Sequence, residues 1–281
     1  MNNKEYLERL FDSDKTLIIY KVKGGFDVYT DFSKKINLNK KNSKNFFNKI
    51  SKIKNPQNKF FDGYVGFLSY ELQCKLIGIT IPKQKSNGFS DNFFYKPETL
   101  IKIRQGIKVF STLKNFKNEK YLNLSNKKFF YEKKFNVNLT LKQYTKFFES
   151  FSKKIREGKT YQIKICQKYR NNSYIDPIQF FWKLMKVNTS PESFMIRDEN
   201  YSIISCSPET LIDKKNKKII TKPIAGTLKR NKKTTLKKAR SFFAKNEKES
   251  KEHNMIVDME RNDLSRICKT GSVKIKKLKY V

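Results

Sequence analysis

Residues 15–31, KTLIIYKVKGGFDVYTD, carry apolar, β-prone runs on either side of Gly24-Gly25. This predicts two short strands joined at the glycines. Residues 33–58 are rich in Lys and Asn and predict a helix and a loop. Phe61–Leu72, FDGYVGFLSYEL, is an aromatic, β-prone run with two glycines, which implies close backbone packing or a bend. Residues 83–96 read as a loop and 99–112 as strand. The polar stretch 113–138 marks a boundary between a first layer, 1–138, and a second part, 139–281.

From residue 141 the periodicities are firmer. LKQYTKFFESFSKKIREG (141–158) predicts an amphipathic helix ended by Gly158. TYQIKICQKYR (160–170) alternates with period two and predicts a strand. DPIQFFWKLMKVN (176–188) predicts a helix with Asp176 as N-cap and Pro177 in its first turn. SFMIR and YSIISCSP predict a hairpin, and 211–227 a strand pair around a polar turn. A long helix ending near Asn262 follows, with Arg261-Asn262-Asp263 read as its polar cap. There is no internal repeat. The mixed order predicts an α+β fold with a largely antiparallel sheet.

The long helix carries the most informative chemistry. ESKEHNMIVDMERNDL (249–264) places Glu249 and Glu252 three residues apart, followed by His253, the only histidine. On a helix these acids share a face, which Ile256 and Met259 continue. Carboxylates on an apolar stripe point to a metal or a cationic partner. The alternative is a solvated flank in which Lys248 and Lys251 pair with the acids.

Composition qualifies this picture. The net charge of +36 is a prior for nucleic acid or an anionic membrane. Nine arginines leave 53 of the 62 basic residues as lysine, scattered along the whole chain. Readers of bases and phosphates favour the bidentate arginine fork, so no specific nucleic-acid partner is expected. No apolar run approaches a membrane span, and residues 1–15 hold no signal-peptide core, so a cytoplasmic location without a membrane is expected. Cys74, Cys166, Cys206 and Cys268 match no zinc or redox spacing and read as reduced thiols.

Further short motifs are weaker. Pro223-Ile224-Ala225-Gly226-Thr227 ends a strand, where Gly226 permits close approach of a ligand and Thr227 offers a hydroxyl. An ordinary strand-to-loop turn reads the same way. Ser207-Pro208-Glu209 reads as a capped turn, and Gln162 as a strand amide. Together, GKTYQIKICQKY, SIISCSPETLI, TKPIAGTLKR and EHNMIVDMERNDLSRIC, in this order, resemble the chorismate-utilising enzymes. Within that family the chain is similar to anthranilate synthase component I and aminodeoxychorismate synthase component I. The likeness is dense over 141–281 and looser around 63–72.

The resemblance implies two stacked, largely antiparallel sheets flanked by helices, and chemistry on chorismate with Mg²⁺. Under it, 1–138 is the N-terminal layer of the synthase domain and 139–281 the first part of the chorismate-binding domain. Glu252 matches the family's metal-ligating glutamate and Glu249 its acidic neighbour. Gly226 and Thr227 match residues lining the substrate pocket. Gln162 stands where water-adding relatives carry a lysine base, and so fits members that use ammonia from a glutamine amidotransferase partner. Ala225 stands where the aminodeoxychorismate branch, of the para-aminobenzoate and folate pathway, carries a nucleophilic lysine. Alanine favours anthranilate, the tryptophan-pathway product. The short N-terminal part and the YQ and MIVD segments lean toward the other branch. The family domain also continues beyond the position of Val281, with a second histidine and a further pair of metal glutamates. An inactive, truncated chain, or a basic nucleic-acid-binding protein, are the competing expectations.

Overall fold

The structure, a computed structural model, describes residues 2–52, 63–81, 92–114, 131–199, 201–229, 231 and 234–278. In chain order its first half runs α1 (Asn3–Asp12), β1 (Leu17–Val22), β2 (Gly25–Asn37), α2 (Ser43–Ser51), β3 (Val65–Leu68), α3 (Tyr70–Leu76), β4 (Asn92–Ile103) and β5 (Ile107–Ser111). The second half runs β6 (Asn136–Val137), α4 (Leu141–Arg156), β7 (Tyr169–Arg170), α5 (Pro177–Val187), β8 (Glu192–Arg197), β9 (Ser202–Ser207), β10 (Thr210–Lys215), β11 (Lys218–Lys222), α6 (Leu236–Lys245) and α7 (Glu247–Ser265). The α+β class and the antiparallel pairing are as the sequence implies.

Seven strands form one antiparallel sheet in the order β3-β4-β2-β1-β8-β9, with β5 on β4. It joins strands from both sides of residue 138: β1 pairs β8 with Ile18 opposite Ile196. Two short ribbons, β10-β11 and β6-β7, stand apart from it. In β1 Leu17, Ile18 and Ile19 are all buried, because both sheet faces are covered. Leu17 and Ile19 pack with Tyr6 and Leu10 of α1 and Phe181 of α5. Ile18 faces the other way, toward Tyr29, Phe93 and Tyr95. The capping signals act as expected: Asp176 accepts the Gln179 N–H at 2.7 Å, with Pro177 opening α5. Gly66 shows the close packing its run implies, since a Cβ there would lie 2.0 Å from the Phe93 carbonyl oxygen.

Several expected boundaries are corrected. β2 continues to Asn37 before α2, because its long pairing with β4 outweighs the polar composition. The described part of the 61–72 run, from residue 63, holds β3 before Ser69 caps α3, accepting the Leu72 N–H at 3.2 Å. The expected loop 83–96 gives way to β4 from Asn92, while residues 53–58, 83–91 and 115–130 of the expected loops and boundary lie outside the described residues. The single strand at 99–112 is two, turned at Arg104–Gly106. The strand expected over 160–170 is strand only at Tyr169–Arg170, where Val137 and Asn136 pair with it; among the described residues no strand lies beside the rest. The last helix runs to Ser265, so Arg261-Asn262-Asp263 lies within it, and Arg261 pairs with Asp258 at 2.6 Å instead of capping.

Asp198, just after β8, gives this half of the fold an acid-sensitive point. Burial alone would raise its carboxyl. Bonds from the Lys35 ammonium, the Glu199 backbone N–H and the Tyr95 and Tyr201 phenols outweigh burial and hold it below the usual carboxylate range. A depressed folded-state value stabilises the fold above the unfolded value, about 4, and that contribution is lost as pH falls through the folded value. The urea midpoint should therefore drop on acidification below about pH 4, and Asp198→Asn should flatten that drop. An identical acid limb in Asp198→Asn would remove Asp198 from the account.

Candidate functional site

The site forms where α7 meets two irregular segments. Asn246 ends α6 and starts α7: its N–H bonds the Phe242 carbonyl, and its side chain accepts the Glu249 N–H at 3.1 Å. This tight junction sets Phe243 and Glu249 side by side against Gly226. Gly226 has φ +83°, in the left-handed region that favours glycine. A Cβ there would lie 2.7 Å from Phe243 Cε1 and 2.8 Å from Glu249 Oε2. The glycine therefore makes room for the carboxylate.

Glu252 lies one turn further along α7. Its Oε1 accepts a hydrogen bond from Gln162 Nε2 at 3.0 Å, across 90 positions of sequence. Gln162 lies on the irregular segment after Gly158, where the Thr160 hydroxyl bonds its carbonyl at 3.2 Å. Ala225 is half-buried beside Gly226, and Thr227 follows in the same irregular segment, exposed. The structure thus brings Gln162, Gly226, Glu249 and Glu252 together, with Ala225 and Thr227 on the adjoining chain.

Sequence reasoning read Glu209 only as part of a turn. The turn is there, with Ser207 Oγ accepting the Glu209 N–H at 3.3 Å. The Glu209 carboxylate also accepts the Ile224 N–H at 3.2 Å, tying the β9-β10 connection to the segment that carries Ala225 and Gly226. An acidic side chain in a turn, with an irregular post-strand segment to reach, was the available signal.

The solvated-flank reading of the acids fares poorly. Lys251 pairs with Glu247 at 2.9 Å, away from both. Among the described residues neither Glu249 nor Glu252 enters an ion pair, although the chain carries a net charge of +36. Among the described residues no third His, Cys, Asp or Glu joins them in a metal-ligating group. Two such carboxylates on one face fit Mg²⁺, which takes one or two from protein and fills its octahedron with substrate oxygens and water. The apolar stripe is shorter than expected, since Met259 is exposed.

A family model described as chorismate binding enzyme matches residues 8–281. The chain is 34% identical over 144 residues to anthranilate synthase alpha subunit 1, chloroplastic, of Arabidopsis thaliana, covering 51% of this chain and 24% of that one. It is 37% identical over 128 residues to aminodeoxychorismate synthase component 1 of Bacillus subtilis, covering 45% and 27%. Against anthranilate synthase component 1 of Buchnera aphidicola subsp. Rhopalosiphum maidis it is 29% identical over an alignment of 314 residues, covering 98% and 56%. The chain thus spans at most 56% of the length of these relatives. The crystal structure of anthranilate synthase component I from Streptococcus pneumoniae superposes with a TM-score of 0.67 at 21% identity, over 94% of this chain and 62% of that one, a likeness of fold.

Proposed function

Because the chain belongs to the chorismate-binding enzyme family, we propose that it acts on chorismate as the synthase part of a chorismate aminase, forming anthranilate and pyruvate with Mg²⁺. The observation that carries the reading is the hydrogen bond from Gln162 to Glu252, made beside Gly226 and Glu249. It joins distant motifs around two carboxylates that no lysine neutralises among the described residues.

In this reading Glu252 and Glu249 hold the metal, and Gln162 fixes the Glu252 carboxylate in place. When bound, Mg²⁺ neutralises the substrate carboxylate and favours loss of the ring hydroxyl as a Lewis acid. The segment at Ala225–Thr227 forms a wall for the substrate, with Glu209 holding the backbone at Ile224. Gln162 offers an amide and no strong base, so water is not activated as a nucleophile there. Ala225 has no nucleophile to add to the ring, so ammonia adds directly. A C–N bond forms next to the ring carboxylate and the ring hydroxyl leaves as water. The bond between the ring carbon and the enolpyruvyl oxygen then breaks as the amine-bearing ring carbon loses its proton, a proton is taken up at the enolpyruvyl methylene, pyruvate departs and the ring becomes aromatic. Ammonia comes from a glutamine amidotransferase subunit, a partner in keeping with the word "subunit" in the name of the Arabidopsis relative.

The protein, purified as its host produces it, is given chorismate, Mg²⁺ and ammonium. Equal amounts of pyruvate and fluorescent anthranilate are expected, with isochorismate at most a trace. A 4-amino-4-deoxychorismate product without pyruvate would overturn the anthranilate assignment in favour of the aminodeoxychorismate branch. That branch is the second reading, favoured by the Bacillus subtilis relative.

A further inference from the structure

We propose that a cavity at the start of β1, remote in sequence from α7, binds a small aromatic carboxylate. The cavity measures about 280 Å³. It lies where Lys15 and Thr16 enter β1, opposite Phe32 and Lys35 of β2, Tyr95 of β4 and the turn after β8. None of Gln162, Gly226, Glu249 and Glu252 lines it, and the proposal stands independently of the reaction assigned to them.

The wall of the cavity is built by an irregularity. Asp31 has φ +53°, left-handed for a non-glycine residue, and is only 8% exposed. Just beyond it the pairing of β2 with β4 shifts register between Phe32 and Lys34. Pro97, which lacks an N–H, stands opposite Phe32 at this bulge. The Phe32 and Tyr95 rings pack with centroids 4.5 Å apart. They give the cavity an aromatic side.

Its polar side presents donors. Asp31 is ion-paired to Lys15 and accepts from the Tyr6 hydroxyl at 3.4 Å. Asp198, 7% exposed, accepts from Lys35 Nζ at 2.7 Å and from the Glu199 N–H at 2.9 Å. The Thr16 hydroxyl reaches it at 3.5 Å, and the Tyr95 and Tyr201 phenols bond it too. The two buried carboxylates thus hold two ammonium groups at one cavity. Lys35 is further fixed over the Tyr95 ring, 5.2 Å from its centroid. An ammonium has three N–H donors, and Asp198 occupies one of Lys35's. A planar carboxylate satisfies this arrangement: its oxygens meet the ammonium groups and its ring meets Phe32 and Tyr95. Glu199, exposed at the rim, opposes an anion and would attract a cation, so it reports the sign of the ligand.

Amide NMR shifts of the unmodified protein are followed during titration with sodium benzoate, acetate, inorganic phosphate and benzylamine. Benzoate should shift Thr16, Phe32, Lys35 and Asp198 saturably, with acetate and phosphate at least about tenfold weaker. Lys35→Met should weaken benzoate about tenfold or more, and Lys35→Arg by less than about threefold. Glu199→Gln should tighten benzoate about twofold. Saturable binding of benzylamine instead, or weaker benzoate binding in Glu199→Gln, overturns the proposal. So does an absence of saturable shifts, or shifts confined to Glu249 and Glu252. Should Lys35→Met fail to fold, the amide map and Glu199→Gln decide the matter.

Discussion

Arg197→Met should lower the unfolding free energy by roughly 3–5 kcal/mol, the largest stability loss expected from one charged-to-apolar change among the described residues. Arg197 ends β8 and is 5% exposed. Its guanidinium donates to the carbonyls of Lys15 at 3.0 Å, Phe11 at 3.0 Å and Leu10 at 2.9 Å. Leu10 and Phe11 lie in the last turn of α1, where carbonyls lack intrahelical partners and the helix dipole favours a cation. Burial pulls the guanidinium below its ordinary pKa, opposed by the carboxylates of Asp14, Asp176 and Asp12. Methionine fills part of the volume and leaves the half-buried Phe11 and Lys15 carbonyls without this donor. Lysine should recover only part of the loss, since one ammonium cannot reach three carbonyls with the geometry of a planar fork. Urea unfolding at neutral pH reads the change. A shift below about 1 kcal/mol with an unchanged m-value would show that water replaces the guanidinium.

Arg197 also marks where sequence reading stopped. The segment SFMIR disclosed a strand by its short apolar run, and β8 is that strand. Nothing in five residues disclosed that the arginine at its end reaches back 182–187 positions to close α1. Elements with local signals were legible: the Asp176-Pro177 start of α5, the hairpins, and α4, whose Thr140–Gln143 capping box is present. Residues 160–170 show the limit. Alternation reports which side chains alternate in exposure, but a strand also needs a neighbour for its backbone groups, and alternation does not report one. β4 fails in the opposite sense. Its first residues look like loop, yet β2 and β3 flank it and pair with it on both edges.

The site was legible in part for the same reason. Glu249 and Glu252 share a helix face at fixed spacing, so their proximity is local. The glycine requirement at 226 arises from Phe243 and Glu249, on two other elements. The bond from Gln162 is longer-range still. Only the ordered motifs of a family resemblance could hint that these segments meet. Glu209 was missed because its turn explained the residue locally, leaving its carboxylate's reach to Ile224 unread.

Glu252→Ala should lower kcat/KM for chorismate by about a hundredfold or more at any Mg²⁺ concentration, equivalent to about 3 kcal/mol of lost transition-state stabilisation. The expectation rests on the proposed metal role and on charge. Glu252 is half-buried on α7, is held by a neutral amide 3.0 Å away and enters no ion pair among the described residues. Its full charge is therefore available to a cation. Removing it leaves only Glu249 of the pair, too little to hold a hard divalent ion tightly in water. Mn²⁺, a paramagnetic substitute, should accordingly bind far more weakly, as read from the free-ion EPR signal. Gln162→Ala tests the geometry separately. It keeps both carboxylates but frees the Glu252 side chain, so a smaller loss of about tenfold is expected. Helical circular dichroism should be unchanged in both variants, because Glu252 and Gln162 lie outside the buried core. Undiminished kcat/KM and undiminished Mn²⁺ binding in a folded Glu252→Ala protein would reduce the acid pair to a feature of the helix surface. The family assignment would stand on its own evidence, and the metal would have to be held elsewhere.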